Sequence, residues 1–174
     1  MVAKEAVDRF EEDKKDVYVS ENIPKNSCRV CVSFKKWMQN QNNSLYDKEK
    51  TSNLDNIDLT NCPPDSELLG RSTWTFLHTM AANYPESATV KEQVEMQEFL
   101  RIFAKHYPCF YCAQDFREWM NRKENRAKTN GREDLSLWIC QAHNEVNRKL
   151  GKPIFDCSKW KERWREGWKD GSCG

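Results

Sequence analysis

Eight cysteines punctuate this chain: Cys28, Cys31, Cys62, Cys109, Cys112, Cys140, Cys157 and Cys173. Four of them form two C-x-x-C pairs, Cys28 with Cys31 and Cys109 with Cys112. Such a pair can be half a zinc site, a local clip or a redox couple. Zinc wants four soft ligands, normally from two C-x-x-C pairs close in sequence. Here far more chain than a zinc ribbon or finger uses separates the pairs, part of it the arm, and His78, His106 and His143 offer no H-x-x-x-H spacing. As a clip, a Cys109–Cys112 bridge closes too short a loop to add much stability. Cys140 and Cys157 suit that purpose better, since they fall on consecutive predicted helices and close a loop of modest length. A redox role fits Cys109 and Cys112. Pro108 precedes them and favours a helix start, so both lie in a first turn, where free N–H groups and the helix dipole favour a thiolate. A dithiol passes two electrons onward only with an acceptor beside it, so this reading requires a bound cofactor.

Two helices offer a place for one. At about 100° per residue, Leu69, Phe76, Leu77, Met80 and Tyr84 form a core stripe on the first predicted helix. Arg71, Trp74 and His78 fall on a different side, beside Gly70, Ala81 and Ala82. A cation, a flat ring and an imidazole along one groove suit a large, planar, anionic ligand. On the fourth predicted helix, Leu135, Trp138, Ala142, Val146 and Leu150 make the core stripe, while Cys140, His143, Asn144 and Asn147 face elsewhere. Either face alone is what an ordinary core or solvated surface produces. Both together, with a C-x-x-C on a helix between them, point to a cofactor site.

The elements that must position these residues are helices throughout. The first follows Pro63-Pro64, with Asp65 or Ser66 as N-cap, and ends before Tyr84-Pro85. A second runs from about Thr89 to His106, opened by the capping box Thr89-Val-Lys-Glu92 and striped by Met96, Phe99, Leu100, Phe103 and Tyr107. The third carries Cys109, Cys112, Phe116, Trp119 and Met120. A polar, basic loop, NRKENRAKTNG, leads to the fourth, from about Glu133 to Leu150, stopped by Gly151 and Pro153. A last helix holds Trp160, Trp164 and Trp168 at four-residue intervals. The fold class is all-α: a four-helix bundle plus a short fifth helix, residues 62–174, behind a disordered N-terminal arm, residues 1–61. One island, SCRVCVSFKKWM, interrupts that arm and holds Cys28 and Cys31.

Composition narrows the class further. Of 174 residues, 38% are hydrophobic and 32% charged, so the core must come from concentrated segments. The net charge of +1 arises from interleaved signs and gives no electrostatic case for nucleic acid. No apolar run approaches a membrane span, and MVAKEAVDRFEEDKK is too charged for a secretory signal. Disulfide-competent cysteines without a secretory signal form a tension about compartment.

Four stretches, LGRSTWTFLH, YPCFYCAQDF, HNEVNRKLGKPIFDC and ERWREGWKDGSC, together resemble the Erv/ALR family of FAD-dependent sulfhydryl oxidases over about Cys62 to Cys173. The arm's C-x-x-C island is similar to that of the long, mitochondrial form of the family. The resemblance implies a helical bundle that binds FAD without a Rossmann fold, in keeping with the lack of a G-x-G-x-x-G. It implies that Trp74, His78, His143, Asn144 and Asn147 contact the flavin or its adenine, and that Gly70 and Val146 line the same site. Arg71, Tyr84, Lys149, Lys152, Arg163 and Trp164 would hold ribose and phosphates. Cys112 would lie against the flavin, Cys109 would face incoming thiols, Cys140–Cys157 would be structural, and Cys62 and Cys173 would link two subunits of a homodimer. Electrons would pass from a substrate dithiol through Cys28–Cys31 and Cys109–Cys112 to FAD, then to oxygen or cytochrome c. The implied compartment is the mitochondrial intermembrane space, with the cytosol as a second place, and the implied upstream partner is the thiol-bearing import oxidoreductase of that space. That compartment resolves the tension over disulfides. Two readings from other classes stand beside it: a disulfide-stabilised signalling factor and a zinc-binding interaction module.

Overall fold

The computed structural model describes residues 62–173, and the expectations placed on the arm, Cys28 and Cys31 included, lie outside the described residues. Four α-helices carry the fold: α1 Ser66–Ala82, α2 Val90–His106, α3 Phe110–Met120 and α4 Arg132–Lys149. Two 3-10 turns, Lys123–Asn125 and Cys157–Lys159, and a π turn at Glu162–Glu166 complete the described secondary structure, which contains no strand.

The first three helices start where their sequence provides a cap. Asp65 accepts the Leu68 N–H at 2.9 Å and opens α1. Thr89 and Glu92 form a reciprocal capping box on α2, satisfying two N–H groups that would otherwise lack a partner. Such a cap contributes about 1 kcal/mol. Cys109 is itself the N-cap of α3, its Sγ accepting the Cys112 N–H at 3.4 Å. Arg117, on α3, returns a hydrogen bond to the Ala104 carbonyl near the end of α2.

α1 and α4 run antiparallel. Arg132 at the start of α4 donates to the Tyr84 carbonyl just past α1, while Lys152 beyond α4 reaches Glu67 in the first turn of α1. Leu77, Leu100, Leu135, Trp138 and Ile139 are fully buried between the helices, with Trp119 and Met120 of α3 closing the core. The loop before α4 is pinned to the α1–α2 corner. Ala88 N–H donates to the Asn130 carbonyl, the Tyr84 hydroxyl to the Thr129 carbonyl, and the Gln97 amide to the Thr129 hydroxyl.

Two expectations change. Phe76 does not join the core stripe of α1: it is 54% exposed on the helix's outer side, edge-on to Phe99. The tryptophan series does not form one helix. The chain tightens to a 3-10 turn at Cys157–Lys159, widens to a π turn at Glu162–Glu166 and then ends at Gly167, whose φ of 81° leaves helical space. The extra residue of a π turn shifts the register, so Trp160 is buried in the bundle and Trp164 turns onto α1.

Candidate active site

The ring-bearing faces of α1 and α4 meet. Trp74 stacks on His143 with ring centres 4.2 Å apart and planes within 4°. His78 stacks equally flat on Trp164 at 4.4 Å, delivered by the π turn. The two pairs are joined by a hydrogen bond of 2.9 Å between His78 Nε2 and His143 Nδ1. One nitrogen must donate and the other accept, which neutral imidazoles can do. Burial, reinforced by His143 and Arg163, pushes His78 down to about 3, and burial with Lys152 pushes His143 down to about 4. Both are therefore neutral near pH 7.

Cations surround these rings. Arg163 lies over the Trp164 face, its guanidinium carbon 4.3 Å from the ring centre. Glu67 holds both Arg71, at 3.2 Å, and Lys152, at 3.9 Å, at the open end of the α1–α4 groove. Lys149 pairs with Asp115 on α3 and with Glu145. At Gly70 an added Cβ would meet nothing within 4 Å, so the helix surface is open there.

The disulfide approaches from α3. Cys109 and Cys112 are bonded, and Phe116, one turn beyond Cys112, packs edge-on against Trp74 with ring centres 6.5 Å apart. Cys112 and Phe116, four residues apart, leave α3 on the same side. Cys112 is half-buried, whereas Cys109 is fully buried. The expectation that Cys109 faces incoming thiols therefore requires the first turn of α3 to open. Cys140 and Cys157 form the second disulfide, tying α4 to the 3-10 turn.

Other expected site residues take different positions. Asn144 is buried and fully used: its amide donates to the Phe155 carbonyl at 2.8 Å and its oxygen accepts the Phe155 N–H at 2.9 Å. It holds the chain after α4 against the helix. Asn147 leans on Asn144 at 3.5 Å, and Val146 is half-buried on the same helix. Tyr84 sits in the core and its hydroxyl donates to the Thr129 carbonyl. Cys62 and Cys173 are exposed and unbonded within the chain. Sequence reasoning missed Glu67, Asp115 and Phe116 as parts of the site. Glu67 was detectable, because it precedes Arg71 by four residues, the spacing of a helical ion pair; the other two meet their partners only across helices.

These residues fit a flavin dinucleotide chemically. Flat aromatic walls, neutral ring nitrogens and a rim of cations match a planar heterocycle carrying phosphates, and the open surface at Gly70 gives it room.

The chain is similar to known proteins in sequence and in fold. The model of the Erv1 / Alr family matches residues 71–165. The mitochondrial FAD-linked sulfhydryl oxidase erv1 of Schizosaccharomyces pombe is 41% identical over 162 residues, spanning 84% of this chain and 89% of that protein. The mitochondrial FAD-linked sulfhydryl oxidase ERV1 of Saccharomyces cerevisiae is 50% identical over 101 residues, 58% of this chain and 52% of the relative, so the chain matches about half the length of that protein. The crystal structure of the yeast Erv1 core superposes with a TM-score of 0.61 at 45% identity, covering 71% of this chain and all of the core. The FAD-binding domain of Saccharomyces cerevisiae Erv1 gives 0.58 at 48% identity, over 62% of this chain and all of that domain. With its stacked α1–α4 groove and its C-x-x-C at the head of α3, this chain belongs to the Erv1 / Alr family.

Proposed function

We propose that this chain is a FAD-linked sulfhydryl oxidase that forms disulfides in protein dithiols in the mitochondrial intermembrane space. The observation that carries the reading is the Cys109–Cys112 disulfide on the same helix as Phe116, which packs on the Trp74 wall of the ring cluster. Trp74, His78, His143 and Trp164 would wall the cofactor, with Asn147, Val146 and Gly70 beside them. Arg71, Lys152, Lys149 and Arg163 would hold its phosphates and ribose. Asn144 serves by fixing the chain that follows α4. Bound FAD supplies a two-electron acceptor for a dithiol.

The protein's own residues perform the exchange. A substrate thiolate attacks Cys109 Sγ; a substrate–Cys109 bond forms, the Cys109–Cys112 bond breaks and Cys112 leaves as thiolate. The second substrate thiolate attacks the mixed disulfide, so the substrate leaves oxidised and Cys109 leaves as thiolate. The N–H of Cys112, 3.4 Å from Cys109 Sγ at the positive end of α3, stabilises charge there. Two electrons have moved from substrate to the C-x-x-C. On this reading the arm pair Cys28–Cys31 supplies them from the import oxidoreductase, and oxygen or cytochrome c is the final acceptor.

The zinc reading loses two of its ligands to the Cys109–Cys112 bond. The scaffold reading explains the disulfides and leaves the stacked, cation-rimmed rings without a purpose. A visible spectrum of the purified protein, with oxygen uptake on dithiothreitol, decides among them. A flavin band and thiol-dependent oxygen consumption are expected; colourless protein without turnover would sink the oxidase.

A further inference from the structure

The loop between α3 and α4 carries a cluster of charge that the redox chemistry does not use. Arg122, Lys123, Arg126 and Lys128 are all exposed, and within the described residues none forms an ion pair. Glu124 is the one acid among them, while Glu118 is bonded to Gln114 and Asp134 to Asn130 on the flanks; Glu133 lies beyond. On α1, α2 and α4, Arg71, Lys91, Arg101, Arg148 and Lys149 find carboxylates. The whole chain carries +1, so this concentration is local.

The loop's backbone is fixed. Trp138 Nε1 donates to the Asn125 carbonyl at 2.9 Å, Asn125 donates to the Trp119 carbonyl, Thr129 is buried under Tyr84 and Gln97, and Asn130 receives the Ala88 N–H. Gly131 packs so closely that a Cβ would lie 2.2 Å from the Glu86 carbonyl oxygen. Ordering this loop's backbone is thus part of folding, so binding orders only the basic side chains.

We propose that this loop is a docking surface for the anionic headgroups of a phospholipid membrane. Four cations within seven residues match the density at which basic clusters bind acidic lipid surfaces. A protein partner is disfavoured because specific interfaces centre on large apolar or aromatic anchors and are depleted in lysine. The exposed large hydrophobics, Phe76, Val90, Ile102, Phe110, Tyr111 and Ile154, all lie outside the loop. α3 separates the loop from the C-x-x-C by its eleven residues, roughly 16 Å at 1.5 Å per residue. A membrane-docked molecule would keep its disulfide turned to solution.

The test is vesicle co-sedimentation of the full, FAD-loaded chain. Wild type should bind phosphatidylcholine vesicles containing phosphatidylglycerol, ignore pure phosphatidylcholine, and release as salt is raised. The variant R122Q/K123Q/R126Q/K128Q should bind at least tenfold more weakly while oxidising dithiothreitol at the wild-type rate. A second variant, K91Q/K159Q/K161Q/K169Q, removes equal charge elsewhere and should bind as wild type does. The proposal is overturned by equal binding of wild type and loop variant, by equal losses in both variants, or by no binding to anionic vesicles. Retention on immobilised polyglutamate without vesicle binding would point to an acidic protein instead. Displacement by inorganic phosphate, beyond that caused by chloride at equal ionic strength, would point to a free-phosphate site.

Discussion

At the residue scale, Cys112 and Cys109 divide one disulfide between two environments. Cys112 is half-buried and shares α3 with Phe116, whereas Cys109 is sealed at the N-cap. Cys112→Ser should keep FAD bound, since none of the stacked rings is touched, yet reduce dithiothreitol oxidation to background. Wild-type turnover in that variant would refute the assignment. The histidine pair sets a pH dependence. Both folded-state values lie below the ordinary 6.5, so between that value and about 3 to 4 the unfolded chain binds protons that the folded chain refuses. Their contribution to stability is therefore full above about pH 6.5 and is lost as pH falls through that window. Thermal melts from pH 7 to pH 4 should show the wild-type midpoint falling by about 5 °C more than that of a His78→Asn/His143→Asn variant. Parallel pH profiles would dissociate the histidines from the effect.

At the element scale, the junction of the α1–α2 corner with the start of α4 holds the site's two main walls in register. Gly131, the N-cap of α4, has an extended backbone that any residue adopts, so its requirement is steric: the Glu86 carbonyl occupies the place of a side chain. Gly131→Ala should destabilise the fold by about 2 kcal/mol, the usual cost of overpacking. Urea denaturation measures it, and an unchanged midpoint would show that the corner yields freely. The same junction explains the ordered loop, because Tyr84, Gln97 and Ala88 all spend hydrogen bonds on residues 129 and 130.

At the scale of the whole molecule, two expectations reach beyond the described chain. Cys62 lies just before α1 and Cys173 packs near Gly167, both exposed and outside the core. On the dimer reading Cys62 of one copy bonds Cys173 of the other, so non-reducing electrophoresis should show a dimer that reduction converts to monomer. Monomer under both conditions refutes the bridge. On the shuttle reading, tethering would keep Cys28 and Cys31 at high effective concentration near Cys109. Replacing both with serine should spare dithiothreitol oxidation and slow oxidation of the reduced import oxidoreductase. Equal rates on that protein would exclude a shuttle.

What the sequence by itself determined was local. The caps at Asp65 and Thr89, the stops at Tyr84-Pro85 and Gly151, and the placement of Cys109 at a helix start depend on neighbours within one turn, and these spacings are written in the chain. The two second faces, with Trp74 and His78 on one helix and His143 on another, were legible for the same reason. Tertiary structure decided what those faces do to each other. It paired Trp74 with His143 and His78 with Trp164, a match that depends on the antiparallel setting of α1 and α4 and on a π turn that four-residue spacing conceals. It also turned Phe76 outward, committed Asn144 to Phe155 and sealed Cys109, because burial is a property of what packs on a residue and periodicity records only which side it leaves the helix.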